Sequence, residues 1–408
     1  MSQATLTPPP AAHWADPKRY LWLLGPAIPV IGGAMLAVYW QTQAAWSLWF
    51  AVALVHIVLP VLDFVFGEDA ANPPDEALKA LDADRYYSWV LYAFVPLQIG
   101  VTIAGAWMAV SIDMPWYHML GLAISVGVVN GVAINTAHEL GHKKDKLDRW
   151  LARISLAPTF YGHFFVEHNR GHHKNVATPE DPASSRFGES FWAFWPRTVM
   201  GSLRSAWHLE AERLQRFNKK VWSTENENLQ SWAMSVVLFG GLLVVLGWAA
   251  LPFLLIQAVY GFSLLEVVNY LEHYGLLRRK NADGRYERCE PEHSWNSNHT
   301  VTNLFLYHLQ RHSDHHANPT RRYQTLRHFE NSPQLPSGYA GMITLAYITP
   351  LWYALMNKRV IEHYKGDLSR ISFQPSKRNQ LMARYADYAA QVRARTDAKG
   401  GHANAAAH

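Results

Sequence analysis

Six stretches of about 20 residues, nearly free of charge, constrain this 408-residue chain more than any other feature. They run over 20–40, 45–66, 87–110, 117–137, 232–251 and 253–275, and a hydrophobic helix needs about 20 residues to cross a bilayer core. Most of the 37 Lys+Arg and 32 Asp+Glu lie between these blocks, so average composition conceals a greasy half and a polar half. The expected fold is an all-α integral membrane protein with six transmembrane helices and a histidine-rich cap.

The fifth and sixth blocks are separated only by the Leu251–Pro252 step, which predicts a tight hairpin there. A seventh stretch, 339–356, is shorter and contains Pro350; it reads as one interfacial or re-entrant helix. Lys18 and Arg19 precede block one, Lys143, Lys144 and Lys146 follow block four, and Arg278, Arg279 and Lys280 follow block six. The opposite connections, 41–44, 111–116 and 251–252, carry no Lys or Arg. Both termini and the cap are therefore expected on the cytoplasmic side of a bacterial inner membrane. No cleavable signal peptide is expected, since Lys18 and Arg19 precede a full-length span.

The remaining organisation follows from composition. Residues 1–16, rich in Pro and Ala, are expected to be disordered, and 17–370 to form one membrane-embedded domain. The polar stretches 143–230 and 276–338 would build the cap, and 371–408 a C-terminal helix followed by a disordered tail from Gly400. The single Cys289 excludes an intramolecular disulfide and any Cys-pair metal module within the chain. A formal charge of +5 is mild; it suits anionic lipid headgroups or an acidic soluble partner, and no nucleic acid is expected.

Nine of the 21 histidines fall into four clusters. His138 and His142 end block four; His168, His172 and His173 follow in Glu167-His168-Asn169-Arg170-Gly171-His172-His173. His273 closes block six, and His312, His315 and His316 form the last cluster. Residues three or four apart share a helix face, so His138/His142, His168/His172 and His312/His315/His316 are each expected to present imidazoles from one side of a helix. Two clusters lie at the same ends of membrane spans, and the topology places the other two on that side as well.

Nine imidazoles exceed the needs of one metal, since structural zinc takes four ligands and catalytic zinc three plus water. Two metals with four or five imidazoles each fit the count, although no spacing argument assigns the nine to each. His172 and His173 are adjacent and cannot share a face, which suggests different ions. Glu139, Glu167, Asp181, Asn269, Glu272 and Asp314 are candidates to orient the imidazoles, because metal-bound histidines usually need a partner on the free nitrogen. His293, His299 and His308 lie near the last cluster and are weaker candidates for the same role. His138-Glu139-Leu140-Gly141-His142 also reads as H-E-x-x-H, the zinc metalloprotease pattern, but that reading leaves seven histidines unused.

The clusters H-x3-H, H-x3-HH and H-x2-HH resemble those of the membrane desaturase/hydroxylase superfamily. Asn269-Tyr270-Leu271-Glu272-His273-Tyr274-Gly275-Leu276 resembles the signature that separates alkane 1-monooxygenases from desaturases, and the similarity spans about 20 to 370. That resemblance implies two non-haem iron ions as cofactors, with O2 as oxidant. It implies medium-chain n-alkanes as substrates, 1-alkanols as products, and rubredoxin as electron donor with rubredoxin reductase upstream. A fatty-acyl desaturase or hydroxylase of the same superfamily is the nearest alternative.

An alkane dissolves in the bilayer, so a lateral entrance between spans is expected. Counting along helix faces from His138 and His273 nominates Gly127, Gly131, Ile134, Val259, Phe262, Leu265 and Tyr270 as channel residues; for Gly127 and Gly131 the competing reading is close helix packing. Glu266, an ionisable group within an apolar block, is expected to hydrogen-bond across the bundle or relay protons. Arg204, Arg213, Arg216, Lys219, Lys220, Arg278, Arg279, Lys280, Arg321 and Arg322 are the basic residues from which a donor-docking subset would be drawn.

Overall fold

The computed structural model describes residues 14–405, so most of the stretch expected to be disordered at 1–16, and the last three residues of the tail, lie outside it. Among the described residues there is no strand, only helices and four isolated β-bridges. Six helices are long and apolar enough to cross a membrane: Leu21–Thr42, Ala45–Phe66, Arg85–Ser111, Trp116–Gly141, Glu227–Leu246 and Trp248–Glu272. A helix satisfies its own backbone hydrogen bonds, which the bilayer interior demands. Apolar side chains such as Phe64, Val237 and Val244 point outward, as a lipid-facing surface requires.

Local chemistry sets the span ends. Asp84 caps the third span by accepting from the Tyr86 amide. The fifth span stops at Gly247, whose φ of 81° ends the helix, and not at the Leu251–Pro252 step. Pro252 instead sits in the first turn of the helix Leu251–Glu272, where its missing N–H costs nothing. The stretch expected to be one interfacial helix is two, Tyr339–Ala346 and Thr349–His363, for the same reason: Pro350 starts a helix. In the second span the backbone widens into a π turn over Leu54–Val58. Pro60 cannot donate to the His56 carbonyl and its ring crowds that oxygen, so the regular ladder yields just before it.

The fourth span lies at the centre, packed on the first, second, third and sixth. A β-carbon on Gly127 would stand 2.8 Å from the Gln257 carbonyl oxygen, and one on Gly131 would stand 2.9 Å from that of Gly261. These contacts run in the same sense along both helices, so the fourth and sixth spans are parallel. The same register carries His138 and His142 level with the end of the sixth span, where His273 follows. Asn130 donates to Gln257 at 2.6 Å and accepts from Gln98 at 3.0 Å, joining spans three, four and six through buried amides.

The polar segments close over this end. Helix Phe191–Arg216 packs on the sixth span, and the short helices Phe164–Glu167, Thr300–Phe305 and His312–Ala317 fill the space between span ends. The C-terminal helix runs from Arg378 to Ala405, beyond the Gly400 at which a disordered tail was expected to begin.

Candidate metal centre

All nine histidines converge beneath the cap, in two groups whose potential ligand atoms lie within 4.8 Å of one another. His138, His142, His168, His173 and His315 form one; His172, His273, His312 and His316 form the other. The groups adjoin, with the rings of His173 and His316 4.5 Å apart.

The division cuts across the sequence clusters. His168 and His172, expected on one helix face, belong to different groups because His168–His172 is a π turn in which the His173 amide bonds to the His168 carbonyl. The wider turn aligns positions five apart, so His168 faces with His173, and their Nε2 atoms are 3.1 Å apart. Helix His312–Ala317 is shared in the same manner: His315 joins the first group, His312 and His316 the second.

The donor atoms fit metal ions. In the five-histidine group Nε2 contacts run His138–His315 at 2.8 Å and His315–His173, His173–His168 and His168–His142 each at 3.1 Å. A neutral imidazole nitrogen has either one proton or one lone pair, so such shared contacts cannot all be hydrogen bonds. Two ligands at right angles around an ion with metal–nitrogen bonds of about 2.0–2.1 Å stand about 2.9 Å apart, which matches. In the other group the buried Nε2 atoms of His172 and His273 have no hydrogen-bond partner at all. Burial holds His142, His168, His173, His312, His315 and His316 well below the ordinary imidazole range, and takes His273 to about 3. Neutral imidazole is the form that binds metal.

Of the carboxylates and amide nominated to orient these rings, Asp181 does so directly. It accepts from His172 Nδ1 at 2.9 Å and is itself held by Ser184 Oγ at 2.6 Å, leaving His172 Nε2 free. Burial opposes charge on His172, but Asp181 outweighs it and holds that ring above its usual range. Glu272 lies 3.3 Å from His312 Nε2. The Glu167 carboxyl hydrogen-bonds no histidine; it is buried and lies across Gly171, and burial pushes it up to about 7. Glu139 faces Lys143 at 3.6 Å, and Asp314 is held by Arg321, Asn318 and the Arg327 amide. Asn269 donates to Glu266.

A partner that sequence reasoning did not find is the His293 backbone carbonyl, 3.2 Å from His273 Nδ1; a carbonyl carries no residue-type signal. The side chains of His299 and His308 bond elsewhere, to Ser297 and to the Tyr323 carbonyl. The H-E-x-x-H alternative needs Glu139 beside a single metal on His138 and His142, whereas three more imidazoles join those two and Glu139 turns to Lys143.

A narrow apolar cavity leads from the bundle to both histidine groups, ending at His138, His168, His312 and Glu272. Gly131 and Leu265 line it, with Val55, Leu264, Val268 and Ile343. The other five nominated channel residues lie elsewhere. Gly127 packs on the Gln257 carbonyl, Ile134 is buried in the apolar core, and Val259 is 45 % exposed on the outer face. Phe262 stacks on Tyr161, and Tyr270 donates to the Glu189 carbonyl at 2.7 Å. For Val259, Phe262 and Tyr270 the cause is the end of the sixth span at Glu272: His273 has a non-helical backbone (φ −127°, ψ 11°), so its direction does not extend the helix face. The cavity face is that of Glu272, Asn269, Val268, Leu265 and Leu264. Glu266 points away from the cavity and accepts from Tyr161, Thr198 and Asn269 at 2.6, 2.8 and 3.2 Å, the cross-bundle role expected of it.

Comparison with known proteins locates relatives of this arrangement. The sequence profile of the fatty acid desaturase family matches residues 114–379. An alkane 1-monooxygenase of Acinetobacter baylyi is 50% identical over 373 residues, covering 91% of each chain. Alkane 1-monooxygenase 1 of Alcanivorax borkumensis is 47% identical, with 93% of this chain and 95% of that one aligned. An alkane 1-monooxygenase of Pseudomonas putida is 47% identical, with 92% and 93% aligned.

Proposed function

This chain belongs to the fatty acid desaturase family and, within it, to the alkane 1-monooxygenases, and from that premise we propose that it converts medium-chain n-alkanes to 1-alkanols at a pair of non-haem irons, with electrons from rubredoxin. The chain is an oxidoreductase of the monooxygenase class. The observation that carries the finer reading is the junction of one narrow apolar cavity with two groups of histidines. An n-alkane has no polar handle, and the cavity presents polar groups mainly at its metal end, among them Asn135, Asn269, Glu272 and His312. A narrow passage that meets the metal centre end-on favours attack at the terminal carbon, although the terminal C–H bond is the strongest in the chain.

His138, His142, His168, His173 and His315 would hold one ion, and His172, His273, His312 and His316 the other. Bound there, iron supplies the redox chemistry that activates O2, with one oxygen atom entering the substrate and the other leaving as water. Asp181 fixes the His172 tautomer so that Nε2 faces inward, and the His293 carbonyl does the same for His273. The apolar walls exclude water and orient the methyl group toward His138, His168 and His312.

Arg204, Arg216 and Lys220 are exposed and form no ion pair among the described residues, Arg216 reaching only the Glu212 carbonyl at 3.4 Å, whereas Arg213, Lys219, Arg278, Arg279, Lys280, Arg321 and Arg322 are engaged with acidic side chains or by shorter bonds to backbone carbonyls. The unpaired three are the proposed contact for an acidic donor on the cytoplasmic face of a bacterial inner membrane.

The test combines metal analysis of purified protein with product analysis from n-octane to n-dodecane, O2 and reduced rubredoxin. About two irons per chain with 1-alkanol formed is the expected result, and one zinc without alcohol would overturn the reading.

A further inference from the structure

We propose that His56, Tyr260 and Thr344 form a hydrogen-bonded gate at mid-membrane depth, which separates the catalytic cavity from the bilayer and admits a single unbranched apolar chain while holding lipid acyl chains out. The substrate's identity rests on the function proposed above; the gate itself rests on separate observations.

His56 Nε2 lies 3.1 Å from the Tyr260 hydroxyl, and Nδ1 lies 2.8 Å from Thr344 Oγ1. Thr344 in turn donates to the Ala340 carbonyl at 3.5 Å. In either neutral tautomer one ring nitrogen of His56 donates and the other accepts, so both bonds can form at once. The polar chain links three elements, the second span, the sixth span and helix Tyr339–Ala346.

Its two ends open onto different spaces. Tyr260 lines an outward-facing apolar groove with Trp192, Trp195, Val259 and Tyr347. Ala340 lines the catalytic cavity, as does Val55 next to His56. Tyr260 and the cavity residue Leu264 are about one helical turn apart, about 6 Å along the axis. Tyr347 of the groove and Ile343 of the cavity repeat that spacing. The three hydrogen-bonding side chains thus occupy the partition between groove and cavity.

Polar groups at this depth call for a reason. His56 and Tyr260 sit midway along their spans, where an unbonded imidazole or hydroxyl would be costly. Mutual bonding makes the closed state the favoured one. The π turn over Leu54–Val58 carries His56, and a widened turn beside Pro60 is a place where a span can shift locally. Lipid acyl chains end at the bilayer midplane in methyl groups chemically equivalent to those of an alkane. A permanently open mouth at that depth would expose them to oxidation, and a gate that yields only to a free, slender chain would not.

The experiment uses iron-loaded full-length protein in phosphatidylcholine vesicles, with His56→Leu and the milder Tyr260→Phe beside the wild type. Two readouts are taken: the ratio of ω-hydroxylated acyl chains to 1-alkanol, and labelling of cavity residues such as Leu265 by a phospholipid with a diazirine at its acyl terminus. Losing one hydrogen bond shifts an opening equilibrium about fivefold, so Tyr260→Phe should raise both readouts about that much and His56→Leu further. Metal content and monodispersity establish that each variant is folded, and if His56→Leu fails there, Tyr260→Phe decides. Unchanged labelling and product ratio in a folded, metal-loaded variant would overturn the gate. A wild type that binds iron yet forms no 1-alkanol would overturn the proposed function instead, with the labelling readout still judging the gate.

Discussion

His168 and His173 stand five positions apart on one π turn, yet their Nε2 atoms are 3.1 Å from each other, while His172 between them faces the other histidine group. One short segment thereby contributes imidazoles to both groups and fixes their adjacency. The division of five and four has a consequence for metal retention. His273→Ala leaves three imidazoles in its group, whereas His142→Ala leaves four in its own. The first variant should lose about one ion per chain and the second should retain more, by plasma emission analysis after dialysis. Equal losses would contradict the division.

Asp181 and Asp314 separate an orienting role from a structural one. Asp181→Asn removes the acceptor that sets the His172 tautomer, and should lower metal affinity or activity by about 10–100-fold. Asp314→Asn weakens the ties to Arg321 and the Arg327 amide. Its effect should be a loss of about 1–3 kcal/mol of stability, with metal affinity per folded molecule unchanged. Metal titrations beside thermal unfolding of both variants distinguish the two roles.

Chain length should respond to residues on the observed cavity face alone. Leu265→Trp fills the cavity and should move the preferred n-alkane toward shorter chains. Tyr270→Phe only removes the bond to the Glu189 carbonyl, so it should cost about 1 kcal/mol of stability and leave the preference in place. Gas chromatography of the alcohols formed from a mixture of alkanes checks both.

Turnover with reduced rubredoxin should fall as salt rises from 0.05 to about 0.5 M, since the Debye length shrinks below about 10 Å over that range. The triple variant Arg204→Glu, Arg216→Glu, Lys220→Glu should raise the KM for the donor and lose most of that salt sensitivity. An unchanged KM would place docking elsewhere.

Much of this arrangement is determined by the sequence alone. Blocks of about 20 apolar residues define the six crossings, because the bilayer core sets the length of a helix within it. The nine converging histidines are recognisable because imidazoles at short, regular spacings cluster on local structure, whatever the fold beyond. What depends on contacts between distant residues was decided only in three dimensions. The allotment of His168, His172 and His173 needed the π turn, and the cavity face needed the end of the sixth span at Glu272, just before the non-helical His273. The glycine contacts from Gly127 and Gly131 set the parallel register that brings the fourth span's histidines beside His273. Helical periodicity extrapolates reliably along an uninterrupted helix, and here the functional residues sit where the helices widen or stop, so their directions follow from packing and not from spacing.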